Sequence, residues 1–207
     1  MEKKNEKLDM KKTLKTFYTA KRKVQLIDVP PVKYISFQGR GNPNTSQEYQ
    51  DAMGVLFGMA YTIKFDCKKR GNDFVVMPLE GQWWSDVPKD FAALAKDDWN
   101  WNAMIAVPDF VETDTFEAAR AKLKEKKNPA GLERAKLETL TDGLSAQFLY
   151  FGPYADEAPH IAEMHKQIEQ WGYCLTGRHR EIYFNSPKRV SSLDKLKTII
   201  RQPVKKA

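Results

Sequence analysis

Residues 32–39 read VKYISFQG, in which β-branched and aromatic residues alternate with smaller and polar ones. This alternation predicts a strand, and the turn residues at 41–44 predict a loop after it. Thr45 and Glu48 then match a capping box, and apolar residues recur beyond them at helical spacing. The sequence therefore predicts a helix over residues 46–63, directly after the strand and its loop.

Two further strands are predicted after this helix. Residues 74–77 and residues 99–107 are both rich in β-branched and aromatic side chains. Between them, residues 88–96 have the pattern of a short helical insert. The first half of the chain is thus predicted as strand, helix, strand, strand.

The second half repeats this order. Residues 145–151, SAQFLYF, predict a strand, and the helix that follows opens at Gly152-Pro153 and closes at Gly172. Residues 179–184 and 196–203 then predict two more strands. Such a repeat predicts an α+β fold of two pseudo-twofold-related strand-helix-strand-strand units, with a ligand cleft between the halves.

A charged connector is predicted between the two repeats. Residues 115–127 have a helical pattern that Asn128-Pro129 interrupts and that resumes weakly to about residue 140. The domain boundaries that follow are a basic N-terminal extension over 1–13 and one domain over 14–207. Within that domain lie repeat one (about 32–108), the helical connector (about 113–140) and repeat two (about 144–204).

The basic charge is concentrated at the two ends of the chain. The net charge is +7, and residues 1–23 carry nine Lys and Arg against three Asp and Glu, whereas residues 187–207 carry seven against one. The body between them is therefore acidic. We interpret the ends as solvated tails, with phosphate binding as the alternative, and expect no specific nucleic-acid binding.

Composition also disfavours several classes of protein. No apolar run approaches the ~20 residues that a membrane span needs, and the polar start lacks a signal-peptide core, which predicts a cytoplasmic protein. Cys67 and Cys174 lack the spacing of a zinc site and are interpreted as reduced thiols, so no metal is expected. Motifs for nucleotide binding and for a serine triad are absent from the sequence.

Glu181 is the first candidate for chemistry. In the predicted strand HREIYF, alternation places Glu181 and Tyr183 on one face and Arg180 and Ile182 on the other. A carboxylate turned inward is costly unless it meets a ligand, water or hydrogen-bond donors, whereas an exposed Glu181 paired with a cation is the alternative. Glu80, in PLEGQWW, is the second candidate for the same cleft.

Four of the five tryptophans fall within nineteen positions. Neighbouring residues on a strand point to opposite faces, so only one of Trp83 and Trp84 enters a given pocket, whereas Trp99 and Trp101 share a face. Each of them alone is explained by core packing. As a group they indicate an aromatic wall.

Several motifs are similar to a known family. Residues 179–183, HREIY, are followed by NSPKRV at 185–190 and KLKTIIRQPV at 195–204. PPVKY at 30–34, GRGNP at 39–43 and PLEGQWW at 78–84 add to the likeness. On these motifs the chain resembles the GyrI-like small-molecule-binding family, and within it a stand-alone subfamily similar to cyclopropanoid cyclopropyl hydrolases.

The resemblance implies a fold, a site and an activity. The fold would be the pseudo-twofold pair of units with a largely antiparallel sheet, and Glu181 would be the central glutamate of the pocket. The activity would be cofactor-independent hydrolysis of the strained ring in flat, largely apolar, DNA-alkylating cyclopropyl-dienones. Separately from the resemblance, we expect a monomer or weak dimer. The expected catalytic residues are Glu181 and Tyr183, and the expected ligand-binding residues are Glu80, Trp83, Trp84, Trp99, Trp101 and Tyr150.

Two other functions stay open at this point. The same pocket would serve a non-catalytic module that binds or sequesters drugs, with Glu181 pairing cationic groups. A gyrase-inhibitor-like protein that acts on a protein partner would need an exposed contact patch, which the sequence does not identify.

Overall fold

The computed structural model describes residues 7–86 and 95–207. Its helices are α1 (Met10–Thr13), α2 (Lys15–Tyr18), α3 (Gln47–Lys69), α4 (Thr113–Lys126) and α5 (Ala158–Gln170). Its strands are β1 (Gln25–Val29), β2 (Val32–Arg40), β3 (Leu79–Trp84), β4 (Asn100–Ala106), β5 (Lys136–Leu140), β6 (Gly143–Phe151), β7 (Tyr173–Leu175), β8 (His179–Tyr183) and β9 (Lys197–Lys206).

The strands form one antiparallel sheet whose order is symmetric about its centre. The order is β1-β6-β9-β8-β3-β4-β2-β5, and β7 pairs with β9 off this path. The centre of the sheet lies between β3 and β8. Counted outward from there, the strands of the first unit follow in the order β3, β4, β2, and those of the second unit follow in the matching order β8, β9, β6. The α+β fold of two strand-helix-strand-strand units, β2-α3-β3-β4 and β6-α5-β8-β9, is confirmed.

The two outermost strands are exchanged between the halves. β1 leads into β2 along the chain but pairs with β6 of the other half. In the same way β5 leads into β6 but pairs with β2. Each half therefore needs a strand from the segment that precedes the other half.

The two long helices of the repeats lie on the same face of the sheet, which we call the helix face. Tyr49 of α3 contacts the rings of Trp83 and Trp101 on β3 and β4. In the second half, Phe148 of β6 lies in one apolar cluster with Met164 of α5. The opposite surface, which we call the far face, carries the alternate residues of each strand and packs in part against α2 through Phe17.

The helix α3 is longer than predicted, and its N-cap is Ser46, one residue after the predicted cap Thr45. The side chain of Ser46, not Thr45, accepts a hydrogen bond from the backbone N–H of Tyr49, and the helix continues to Lys69. Gly71 follows with φ of +87°. Such a positive φ strains most other residues, so this glycine ends the helix segment cleanly.

Two predicted elements are wrong in position or type, and a third lies mostly outside the described residues. The strand predicted at 74–77 lies instead at Leu79–Trp84, and Phe74 makes only an isolated bridge to Leu8. The weak helix predicted up to residue 140 is a short 3-10 turn followed by β5, because Lys136–Leu140 pairs with β2. The insert predicted at 88–96 lies mostly outside the described residues, and Lys96–Asp98 forms a 3-10 turn.

The prediction of solvated ends is wrong for part of each segment, and residues 1–6 lie outside the described residues. Met10 in the N-terminal segment and Phe17 and Tyr18 in α2 are buried. At the other end, β9 lies inside the sheet with Ile199 and Arg201 buried. Charge counts do not detect this, because the apolar residues between the lysines carry the packing.

None of the helices in the described parts of the chain is both long enough and apolar enough to span a membrane.

Candidate functional site

Glu181 lies at the centre of the sheet on the helix face. β3 and β8 pair so that Gly81 is opposite Glu181 and Leu79 is opposite Tyr183. The pleat places these four residues on one side, between α3 of the first unit and α5 of the second. The side chain of Glu181 is 12% exposed. The centre of the pseudo-twofold arrangement therefore holds a nearly buried carboxyl group.

Aromatic rings surround this position and form what we call the aromatic cluster. The ring of Tyr49 lies 6.1 Å from that of Trp83 and 5.0 Å from that of Trp101. Trp83 lies 5.6 Å from Trp99. On the other side, Tyr154 lies 5.4 Å from Tyr183. The cluster consists of Tyr49, Trp83, Trp99, Trp101, Tyr154 and Tyr183.

Gly81 makes room for the central indole. A Cβ at this position would lie 2.8 Å from Nε1 of Trp83, closer than the side chain permits. The indole therefore lies across Gly81, and its N–H donates to the hydroxyl of Tyr183 at 3.1 Å. This hydrogen bond joins a ring of the first unit, Trp83, to a ring of the second unit, Tyr183.

A second carboxyl group, Glu157, accompanies Glu181. Glu157 directly precedes α5 and is 4% exposed. Its burial and the charge of Glu181, with which it is within hydrogen-bonding reach, raise the pKa of Glu157 to about 10. Two carboxyl groups this close do not ionise together easily, so Glu157 holds a proton at neutral pH. Glu181 has a second neighbour in His179, because Oε1 of Glu181 lies 3.3 Å from Nε2 of His179.

The tyrosine hydroxyls of the cluster are held neutral. Burial, followed by the charge of Glu181, raises the pKa of Tyr49 and raises that of Tyr183 well above its ordinary value. Burial and Glu157 raise the pKa of Tyr154 to about 12. Neutral phenols donate hydrogen bonds, so the site offers donors beside a carboxyl pair.

The prediction that Glu80 shares a cleft with Glu181 is wrong. Glu80 is opposite Ile182, so it points to the far face, where it is 0% exposed. It accepts hydrogen bonds from Tyr18, Tyr34 and Arg180 at 2.9, 3.2 and 2.9 Å. Glu80 is a saturated part of the core.

The other predicted residues divide between the site and its surroundings. Trp83 enters the aromatic cluster, whereas Trp84 points to the far face beneath the guanidinium of Arg178. Trp101 is fully buried behind Tyr49, so it supports the wall. Tyr150 packs against His160 on α5 and donates to a backbone carbonyl, outside the cluster.

Four residues of the site were missed in the sequence: Tyr49, Tyr154, Glu157 and His179. Tyr49 lies on the apolar side of a predicted helix and looks like core. Tyr154 lies in a short 3-10 turn and Glu157 at a helix start, where no periodicity marks which side chains turn inward. His179, by contrast, had a usable signal, because it is two residues from Glu181 on one strand and shares its face.

The described residues contain no group of three or more His, Cys, Asp or Glu side chains arranged to hold a metal ion.

Comparisons with known proteins identify the family and the fold. The family model described as GyrI-like small molecule binding domain matches residues 22–205. An uncharacterized conserved protein from Listeria innocua is 37% identical, with 96% of this chain and 100% of that chain covered and a TM-score of 0.89. A hydrolase from Listeria innocua is also 37% identical, with the same coverage and a TM-score of 0.84.

A more distant solved structure shares the fold alone. The C-terminal domain of EcmrR is 14% identical, with 89% of this chain and 98% of that chain covered and a TM-score of 0.58. The search of curated proteins found no match.

Proposed function

Because the chain belongs to the GyrI-like small molecule binding family, we propose that it binds a flat, largely apolar compound between α3 and α5, against the aromatic cluster. The observation that carries this proposal is the position of Glu181, nearly buried between the two halves among aromatic rings. Flat apolar ligands gain contact area from such rings, and the few polar groups beside them fix their orientation.

We further propose that the bound compound is hydrolysed, as a cyclopropyl-dienone whose strained ring is opened by water. A relative of 37% identity is named a hydrolase, which supports catalysis in general. The substrate stores ring strain and becomes aromatic on opening, so the protein needs to position water and manage two protons. A carboxyl pair beside neutral phenols suits that task.

The proposed step balances with one water molecule. The water oxygen bonds to a cyclopropane carbon as the strained C–C bond breaks, and the electron pair of that bond enters the dienone ring. Glu181 accepts the proton of the water, and Tyr49 or Tyr154 donates a hydrogen bond to the carbonyl oxygen, which becomes a phenol oxygen. Tyr183 positions Glu181 and Trp83.

Glu157 supplies the proton that the phenol oxygen needs. Burial and the charge of Glu181 raise its pKa to about 10, so Glu157 still holds this proton at neutral pH when the substrate binds. The proton that Glu181 gains then returns to Glu157 within the pair. No metal or organic cofactor takes part in this scheme.

The proposal is tested by Glu181→Gln, with Glu169→Gln on the exposed side of α5 as the matched control. Glutamine keeps the volume and a hydrogen-bonding oxygen, so we expect affinity for the uncharged compound to stay within about tenfold while turnover falls by about 10²–10⁴. Turnover is measured by mass spectrometry as the gain of one water. The control variant should match the wild type.

Two outcomes would contradict parts of this proposal. Tight binding without any gain of water by the wild type would leave a binding module that sequesters the compound, and hydrolysis would be excluded. A Trp83→Ala variant that binds as tightly as the wild type would exclude the aromatic cluster as the binding site.

A further inference from the structure

A polar cavity lies on the far face of the sheet, away from the aromatic cluster. It measures about 490 Å³, within the usual range for small-molecule sites. Its lining comes from β2, β4 and β5, from Arg134 just before β5 and from Arg178 just before β8. The lining residues are Ser36, Gln38, Asn102, Arg134, Lys136, Glu138, Leu140 and Arg178.

Asn102 in this cavity has an acceptor that lacks a donor. The residue is 4% exposed, and its amide nitrogen donates to Glu138 Oε1 at 3.2 Å. That bond fixes the orientation of the amide. Its buried oxygen, Oδ1, then receives no hydrogen bond from the described residues. A buried acceptor left unpaired is costly, so a ligand that donates to it would be favoured.

Arg178 supplies a cation that has no carboxylate within 4.0 Å in the described parts of the chain. Its guanidinium lies 3.5 Å from the ring centre of Trp84, which holds the group in place. Two other arginines nearby are already paired with carboxylates. Arg180 pairs with Glu80 and Asp142, and Arg134 pairs with Glu48. Burial lowers the pKa of Arg178, and Glu138 and Asp86 oppose that shift from a longer range.

We propose that this cavity is a second binding site, which takes a small organic acid that also carries a hydrogen-bond donor. The acid group lies against the guanidinium of Arg178, which is suited to bind carboxylate or phosphate oxygens in pairs. The ammonium of Lys136 supplies a second positive charge. The donor of the ligand binds Asn102 Oδ1 and the carboxylate of Glu138. Glu138 therefore selects against anions that lack a donor.

Calorimetric titration with para-aminobenzoate tests the site, because this compound has an acid at one end and a donor at the other. Benzoate removes the donor, and para-aminobenzamide removes the acid. We expect a dissociation constant in the millimolar range or below for para-aminobenzoate, and binding about tenfold weaker or worse for the other two.

Variants separate this cavity from the aromatic cluster. Arg178→Gln should weaken binding of para-aminobenzoate by about tenfold or more, and Lys136→Gln, at an exposed position, provides a second test. Arg189→Gln, an exposed arginine elsewhere, is the matched control. Trp83→Ala and Glu181→Gln should leave this affinity unchanged, so the outcome is independent of the proposed hydrolysis.

Three results would overturn the second site. The first is no binding of para-aminobenzoate in the millimolar range, and the second is equal affinity for all three compounds. The third is affinity lost in Trp83→Ala but kept in Arg178→Gln and Lys136→Gln, which would place the compound in the aromatic cluster. Thermal unfolding of each variant checks that it is folded.

Discussion

Glu80 and Glu181 lie on adjacent strands and meet opposite environments. Glu80 points to the far face, where two tyrosine hydroxyls and Arg180 saturate its oxygens. Glu181 points to the helix face, where His179, the hydroxyl of Tyr183 and the carboxyl of Glu157 lie within hydrogen-bonding reach. Glu80 is 0% exposed, whereas the side chain of Glu181 is 12% exposed and stays within reach of water and ligand.

Replacing Glu80 should therefore affect stability rather than chemistry. Glu80→Gln removes one of the two carboxylates that pair with the buried Arg180, and breaking a buried pair costs up to about 3–5 kcal/mol. Urea unfolding should show this loss, and the fraction that remains folded should keep its ligand affinity. Glu181→Gln should cost far less stability. Equal losses for the two variants would contradict the division into a structural and a functional carboxyl.

Glu157 should make stability fall as pH rises. Its pKa is about 10 in the fold, above the value of about 4.3 for an unfolded glutamate. A carboxyl whose pKa is raised by folding stabilises the protein fully below the unfolded pKa, and this contribution is lost as pH rises through the folded pKa. We expect urea unfolding to show a lower stability at about pH 9 than at about pH 6.

The variant Glu157→Gln isolates this effect, because glutamine does not titrate. The difference in stability between the two pH values should shrink in the variant. A wild type and a variant with the same pH dependence would show that Glu157 is ionised in the fold.

Alternation along one strand predicted the faces of residues in that strand but not the relation between strands. It placed Glu181 and Tyr183 together because both lie in one regular segment. It failed for Glu80 because the register between β3 and β8 decides which residues share a face. This register places Gly81, and not Glu80, opposite Glu181. Register depends on pairing across the whole sheet, which no local pattern contains.

At the scale of elements, the segments with strong periodicity were predicted and the weak ones were not. β2, α3, β6 and β8 carry regular apolar patterns. β5 reads KLETL and lies at the edge of the sheet, where charged residues are common and obscure the alternation. Its pairing with β2 across the molecule, rather than its own sequence, makes it a strand.

Two glycines in α3 should respond differently to alanine. A Cβ at Gly54 would meet open space, so Gly54→Ala should stabilise the protein by about 0.5–1 kcal/mol through helix propensity. A Cβ at Gly58 would lie 2.8 Å from Leu123 of α4, whose side chain has to shift. Gly58→Ala should therefore gain less or lose stability in thermal unfolding. The reverse order would show that α4 does not pack on α3 here.

At the scale of the whole molecule, the two halves resemble each other but depend on each other. The second half lacks its own outer strand, because β1 from the N-terminal segment pairs with β6. It also lacks a cover for its far face, which α2 supplies. Gln147 donates to the backbone carbonyls of Thr16 and Thr19, and Arg201 donates to that of Phe17. The pseudo-twofold symmetry is therefore one of architecture and not of independent folding units.

Cutting the chain between the halves tests this dependence. The fragment 142–207 contains β6, α5, β7, β8 and β9, but β6 has lost β1 and β8 has lost β3. Unpaired strands on both sides and an uncovered buried Arg201 leave too little packing, so we expect this fragment alone to show no cooperative unfolding and poorly dispersed amide signals.

Mixing it with the fragment 1–141 should restore dispersed signals and one cooperative transition, because every missing strand then has its partner again. A control mixture with the fragment 30–141 lacks β1 and α2 and should restore less structure. If fragment 142–207 unfolds cooperatively by itself, the exchanged strand and the α2 cover are not needed, and the two units fold independently.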